Sequence, residues 1–231
     1  MAIASIKSKG GWKDQTRFCL GISMGHNHQS ESLEAIVAWI NQSPFESGII
    51  DLSDTLNRYN FMRDGVTEDK AAQRALQQGD DWLLQNESIL EKLSKPVEII
   101  RWNAWLKNPD YADVHAKVVR AYQENLAFQH AVLQDIKTFL SRKGEDATGK
   151  DYALCRAYLI EEIACHSLLY NSSDMAAIYP GKQLESYRVI RAGAVPGIAA
   201  DLTHSPFVRL VVHSFDKPVA KAGIAPAHAA L

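Results

Sequence analysis

Residues 17–37 read RFCLGISMGHNHQSESLEAIV, from Arg17 to Val37, and the fold is decided around their centre. Residues 17–23 form a short, mostly apolar run that suits a buried strand. Gly21-Ile22-Ser23-Met24-Gly25 follows as a glycine-flanked turn. Ser30-Glu31-Ser32 then offers caps for a helix whose Leu33, Ile36, Val37 and Ile40 recur at helical spacing. The turn also spells G-x-S-x-G, the pattern of a serine nucleophile on a strand-to-helix turn. Three readings of Ser23 are open: the nucleophile of a hydrolase, a covalent catalyst of another kind, or a serine in a turn that glycines keep tight.

The same strand-then-helix pattern continues down the chain. Residues 47–52 (SGIIDL), 97–102 (VEIIRW), 176–179 (AAIY) and 207–214 (FVRLVVHS) are further apolar runs of strand length. Helical patterns lie between them: one from Thr67, a plausible N-cap, to before Pro96, one over 110–142 and one over 151–169. Apolar rather than alternating strands argue for an α/β fold with a mostly parallel sheet covered by helices on both faces. Ligands of such sheets sit beyond the carboxyl ends of the strands, where both Ser23 and Tyr179 fall.

At 231 residues, with 46% apolar and 23% charged side chains, the chain is expected to be one domain. Residues 1–14 lack periodicity and 219–231 are rich in small residues, so both are expected to be loose, with the domain spanning 15–218. No apolar run reaches the ~20 residues of a membrane span, and residues 1–15 show no secretory pattern. Cys19, Cys155 and Cys165 each lie in an apolar segment, which fits buried thiols in a cytoplasmic protein and no zinc site. A net charge of −2 argues against gripping long nucleic acid by bulk charge but leaves room for a local basic face.

The hydrolase reading lacks its context. Only about 20 residues precede Ser23, too few for the strands that precede a nucleophile elbow, and its triad would have to recruit Asp201 and His204. A dinucleotide fingerprint is weaker, because no third glycine follows. His26-x-His28 has no carboxylate or cysteine ligand nearby, so no metal is expected. Tyr158 and Glu162, four residues apart, share a helix face among Ala157, Leu159, Ile160 and Ile163, so a phenol and a carboxylate can point together into a partly apolar space. Taken alone, this helix is better read with Tyr158 as a core-edge residue and Glu161 and Glu162 both solvated.

Gly21-Ile22-Ser23, Asp54-Thr55, Asp64-Gly65, Tyr158-x-x-x-Glu162 and Tyr179-Pro180 occur in that order. Together with the long helix around 109–128 they resemble the tRNA-dependent cyclodipeptide synthases, over about residues 17–215. His26 after the serine and Pro180 after the tyrosine resemble the subgroup with a non-Asn residue and Tyr-Pro. The resemblance implies a Rossmann-like fold similar to the catalytic domain of class I aminoacyl-tRNA synthetases, acting as a monomer with no cofactor, ATP or metal. Its substrates would be two aminoacyl-tRNAs. It further implies that Ser23 attacks one aminoacyl ester and holds the amino acid covalently, that a second aminoacyl-tRNA supplies the attacking amine to give a dipeptidyl-enzyme, and that its free amine attacks the Ser23 ester to release a diketopiperazine. By the same resemblance Glu162, helped by Tyr158, binds the α-amino group, and Tyr179 positions groups and moves protons. Gly21, Cys19, His26, Pro180 and Asp54 would contact substrate. Because the ester is already activated, a serine without an adjacent histidine can suffice.

One stretch departs from the family's pattern of a basic helix after the second strand. Residues 67–93 carry Lys70, Arg74 and Lys92 against Glu68, Asp69, Asp80, Asp81, Glu87 and Glu91, a net −3. Phosphate contacts want the opposite sign. The tRNA is therefore expected elsewhere, near Arg101, Lys107, Lys117 and Arg120, or on Arg188 and Arg191. A serine hydrolase and a non-catalytic tRNA-binding module stand as the rival readings.

Overall fold

The computed structural model describes residues 2–7, 11–24, 30–143, 149–170, 174–198, 202 and 204–214. Six strands, β1 (Ala2–Ile6), β2 (Arg17–Ile22), β3 (Ser47–Leu52), β4 (Val97–Arg101), β5 (Met175–Tyr179) and β6 (Phe207–Ser214), form one sheet in the order β1-β6-β5-β2-β3-β4. Neighbours from β6 through β4 are parallel, and β1 joins β6 antiparallel. The fold is the mostly parallel α/β architecture that the apolar strands predict, and the Rossmann-like one that the family resemblance implies.

Successive residues of the central strands face opposite layers, as the two-residue period of a strand requires. Phe18, Leu20 and Ile22 pack with Ile50, Leu52, Ala176 and Ile178 beneath α1 (Ser30–Gln42) and α3 (Glu68–Leu90), through Leu33, Ile36, Ile40 and Ile89. Cys19, Ile49 and Ala177 face the other layer, built from α5 (Tyr111–Glu124), α6 (Leu126–Lys143), α7 (Gly149–Leu169) and α8 (Glu185–Arg191). From β2 the chain moves outward through β3 to β4. It then returns to the other side of β2 as β5 and continues to β6. The strand order therefore reverses between β2 and β5, which is where the crevice of such a sheet lies at the carboxyl edge.

Two sequence expectations are corrected. The N-terminal 14 residues are not simply loose: Ala2–Ile6 pairs with β6 from Ala2↔Ser214 to Ile6↔Leu210, and Trp12 is buried in the core. The helix expected over 110–142 is two helices, because Asn125 leaves the helical region at φ −109°, ψ 104°. Its side-chain oxygen accepts the Phe128 N–H at 2.9 Å and so caps α6. Short helices α2 (Arg58–Arg63) and α4 (Trp102–Leu106) follow β3 and β4 at the same edge as the crevice. The tail 219–231 lies outside the described residues.

Candidate active site

Ser23 directly follows β2 and Tyr179 ends β5, so the two strands flanking the reversal present one hydroxyl each. Ser23 Oγ lies 3.1 Å from Tyr179 Oη, a hydrogen bond across the crevice between residues 156 apart in sequence. Burial raises the Tyr179 pKa, against the opposing pull of the Ser23 bond, and nearby Glu162 adds to the rise. The group is therefore a neutral phenol that can donate or relay a proton. Gly181 is required here: a Cβ at that position would stand 2.5 Å from Tyr179 Cε1 and displace the ring. Gly21 lies on the same side, where a Cβ would meet Tyr179 Cδ2 at 3.7 Å. Pro180 is half-buried just past the strand end.

The opposite wall comes from α7, whose buried positions include Cys155, Leu159, Ile160, Ile163 and Ala164, so it is a core helix with little choice of orientation. Tyr158 and Glu162 are one turn apart on it, both half-buried. Burial pushes the Tyr158 phenol well up, and Glu162, Tyr179 and Glu161 add to this. Burial also raises Glu162 to about 7; His166 opposes the rise, while Asp135 and Asp51 add to it. Glu162 Oε2 is shielded from solvent with no hydrogen-bond partner among the described residues. A shielded carboxylate oxygen near two neutral phenols has the chemistry to accept hydrogen bonds from one ammonium group. The structure thus brings Ser23, Tyr179, Tyr158 and Glu162 to one crevice.

Polar residues that the motifs do not signal lie behind this wall. Asp51 is fully buried in β3, level with Gly21 in the register. Its Oδ1 accepts Trp105 Nε1–H at 2.8 Å, and its Oδ2 lies 3.4 Å from His166 Nε2. His166 Nδ1 meets Tyr187 Oη at 2.5 Å. His166 extends the Tyr158–Glu162 stripe by one more turn, so the helical spacing could have found it. Asp51 was also discoverable, as a carboxylate inside an otherwise apolar strand.

Other expected site residues are placed differently. Cys19 has no exposed surface; it packs beneath Gly21 as core, its thiol pKa pushed up by burial and Asp51, and is not an open pocket wall. Asp54 is fully buried, accepting the Thr55 N–H at 2.7 Å and Arg101 Nε–H at 2.6 Å, so its carboxylate is structural. Arg101 is likewise engaged, with Asp54, with Asp80 and with the Leu76 carbonyl, and is not an open phosphate contact. Lys117 pairs with Asp113 at 2.7 Å, and Arg188 pairs with Glu185. Arg191 is half-buried beside Tyr170 and Tyr187, and burial lowers its pKa. Lys107 and Arg120 are exposed. His26, His28 and Asp201 lie outside the described residues.

A mostly parallel sheet between two helical layers, with a serine and a tyrosine at its reversal and a tyrosine and a carboxylate beside them on α7, defines an α/β protein with a candidate acyl-transfer site. The family model "Cyclodipeptide synthase" matches residues 6–167, and the chain belongs to the cyclodipeptide synthase family. It is accordingly an enzyme of the cyclodipeptide synthase kind, which replaces the hydrolase reading. A cyclodipeptide synthase from Fluoribacter dumoffii is similar at 26% identity and a TM-score of 0.81, over 92% of this chain and 98% of that one. One from Candidatus Glomeribacter gigasporarum, bound to Phe-tRNAPhe, is similar at 18% identity and 0.67, over 91% and 93%. A Mycobacterium tuberculosis structure, described as relating these enzymes to type I tRNA synthetases, shares the fold at 13% identity and 0.70, over 90% and 93%. No curated protein matches the chain by sequence. No helix of the described residues is long and apolar enough to cross a membrane.

Proposed function

We propose that the chain condenses the amino acids of two aminoacyl-tRNAs into a diketopiperazine by a ping-pong route through Ser23, as a cytoplasmic monomer of the Tyr-Pro subgroup. The observation that carries this is the Ser23 Oγ–Tyr179 Oη bond at the strand reversal, faced by the shielded Glu162 carboxylate. Ser23 Oγ attacks the ester carbonyl carbon of the first aminoacyl-tRNA. The ester C–O bond breaks, and the serine proton passes through Tyr179 to the departing ribose oxygen. Glu162, with Tyr158, holds the α-ammonium group during this step.

Atom balance fixes the order of the next step. For the dipeptide to remain on Ser23, the amine of the serine-bound residue must attack the second aminoacyl-tRNA ester; the reverse attack would leave the dipeptide on tRNA. That amine must first lose a proton, and as it attacks, the C–O bond of the second ester breaks and the proton passes on to its departing ribose oxygen. Glu162 suits the task, because it holds that ammonium group directly and burial raises its affinity for a proton. The free amine of the second residue then attacks the Ser23 ester and releases the cyclic product, with the proton returned to Ser23 Oγ. Among the expected tRNA contacts, Lys107 and Arg120 are exposed, and Lys117, one helical turn from Arg120, reaches phosphate only by leaving Asp113.

The test is expression in a bacterial host with LC–MS of the spent medium for cyclic dipeptide masses, beside Ser23→Ala. A product made by the wild type and absent from the folded variant is expected. Equal product from both would remove Ser23 from the chemistry.

A further inference from the structure

Glu161 adjoins Glu162 in sequence but turns away from it and is only 3% exposed. Its two oxygens accept hydrogen bonds from Arg58 Nη1 at 2.8 Å, Trp102 Nε1 at 2.9 Å, Tyr59 Oη at 2.9 Å and Arg58 Nη2. Arg58 is completed by the Thr55 carbonyl at 3.0 Å and Tyr59 Oη at 3.1 Å. Thr55 Oγ1 in turn donates to Asn103 Oδ1 at 2.9 Å. The segments leaving β3 and β4 therefore converge on a single carboxylate of α7. Beside it, the Tyr59 ring meets Tyr158 edge-on with centroids 6.3 Å apart.

A fully hydrogen-bonded buried ion pair adds little stability over apolar side chains of the same volume, but it accepts only one arrangement of its partners. We infer that Glu161 is a positioning residue for this reaction: it locks α7 to the carboxyl edge of the sheet and, through Tyr59, fixes the Tyr158 ring that faces Glu162 and Tyr179. This rests on the reading of Tyr158 and Glu162 given above. Glu161 itself touches neither substrate nor the reacting atoms. Because a displacement of about 1 Å at a reacting group can cost on the order of 100-fold in rate, the clamp acts on turnover.

The experiment uses full-length protein labelled with [13Cζ]tyrosine, its Tyr158 resonance assigned by its loss in Tyr158→Phe, and total bacterial tRNA charged with amino acids as substrate. Glu161→Gln is expected to move the Tyr158 resonance. It should also lower the initial rate of cyclodipeptide formation per folded molecule roughly 10- to 100-fold, with KM for aminoacyl-tRNA within about two-fold of wild type. A purely structural role would lower the folded fraction and leave both quantities unchanged for the molecules that remain folded. If Glu161→Gln does not fold, Tyr59→Phe removes one donor and keeps the ring, and is read in the same way. An unmoved Tyr158 resonance overturns the proposal whatever the rate. A moved resonance with an unchanged rate also overturns the role in turnover, and it does so by removing Tyr158 from the mechanism, not by removing its contact with the Glu161 cluster.

Discussion

Glu162 is held on α7 with one oxygen shielded, and its pKa rises from 4.5 to about 7. Because an acid with a raised folded-state pKa binds protons more tightly when folded, the protein loses stability as pH rises through that window. Glu162→Gln removes the cost. Its melting temperature relative to wild type is expected to rise between pH 4.5 and 7, by an amount equivalent to roughly 1–3 kcal/mol above pH 7, allowing for partial exposure. Cyclodipeptide formation moves oppositely: wild-type activity should fall as pH drops below about 7, where Glu162 loses its charge, and the variant should be nearly inactive throughout. Calorimetry and product assays across pH check both. A variant that is no more stable than wild type at pH 8 would show that the carboxylate carries no burial cost.

At the scale of elements, the site depends on how helices are fastened to the sheet edge. Asp135 of α6 accepts the Glu185 and Ser186 N–H groups at 2.8 Å each and so caps α8, which bears Tyr187. On the other layer, α3 passes so close to the Asp54–Arg101 pair that a Cβ on Gly79 would stand 2.5 Å from Asp54 Oδ2 and 2.9 Å from Arg101 Nη2. Gly79→Ala must therefore push α3 outward or break the pair. Although alanine is the better helix former, a net destabilisation of about 1–3 kcal/mol is expected, measured by urea unfolding. Stabilisation instead would mean that α3 shifts freely and does not brace the carboxyl edge.

For the whole molecule, the antiparallel β1 closes the sheet beyond β6 and keeps that strand from being an open edge. Deleting residues 1–7 exposes the β6 backbone from Leu210 to Ser214 and uncovers Leu210 and Val212. The truncated protein is expected to melt several degrees lower and to associate in a concentration-dependent way, as read by calorimetry and light scattering. The crevice lies between β2 and β5, on the far side of β6 from the lost strand. Folded truncated protein should therefore retain near wild-type turnover.

Local patterns were enough to read the parallel sheet, the principal helices and the order of the Ser23, Tyr158, Glu162 and Tyr179 motifs, because strand burial and helical spacing are properties of neighbours in the chain. The break at Asn125 was also local, a cap that a continuous helical pattern concealed. Other features came only from contacts between distant segments. Ala2–Ile6 is a strand because β6 lies alongside it, more than 200 residues later. Asp54 and Arg101 read as site residues until folding paired them, and Glu161 read as solvated until Arg58, Tyr59 and Trp102 closed around it. A side chain's type is fixed by sequence, but whether its charge faces substrate, solvent or a buried partner depends on which remote donors the fold brings within about 3 Å.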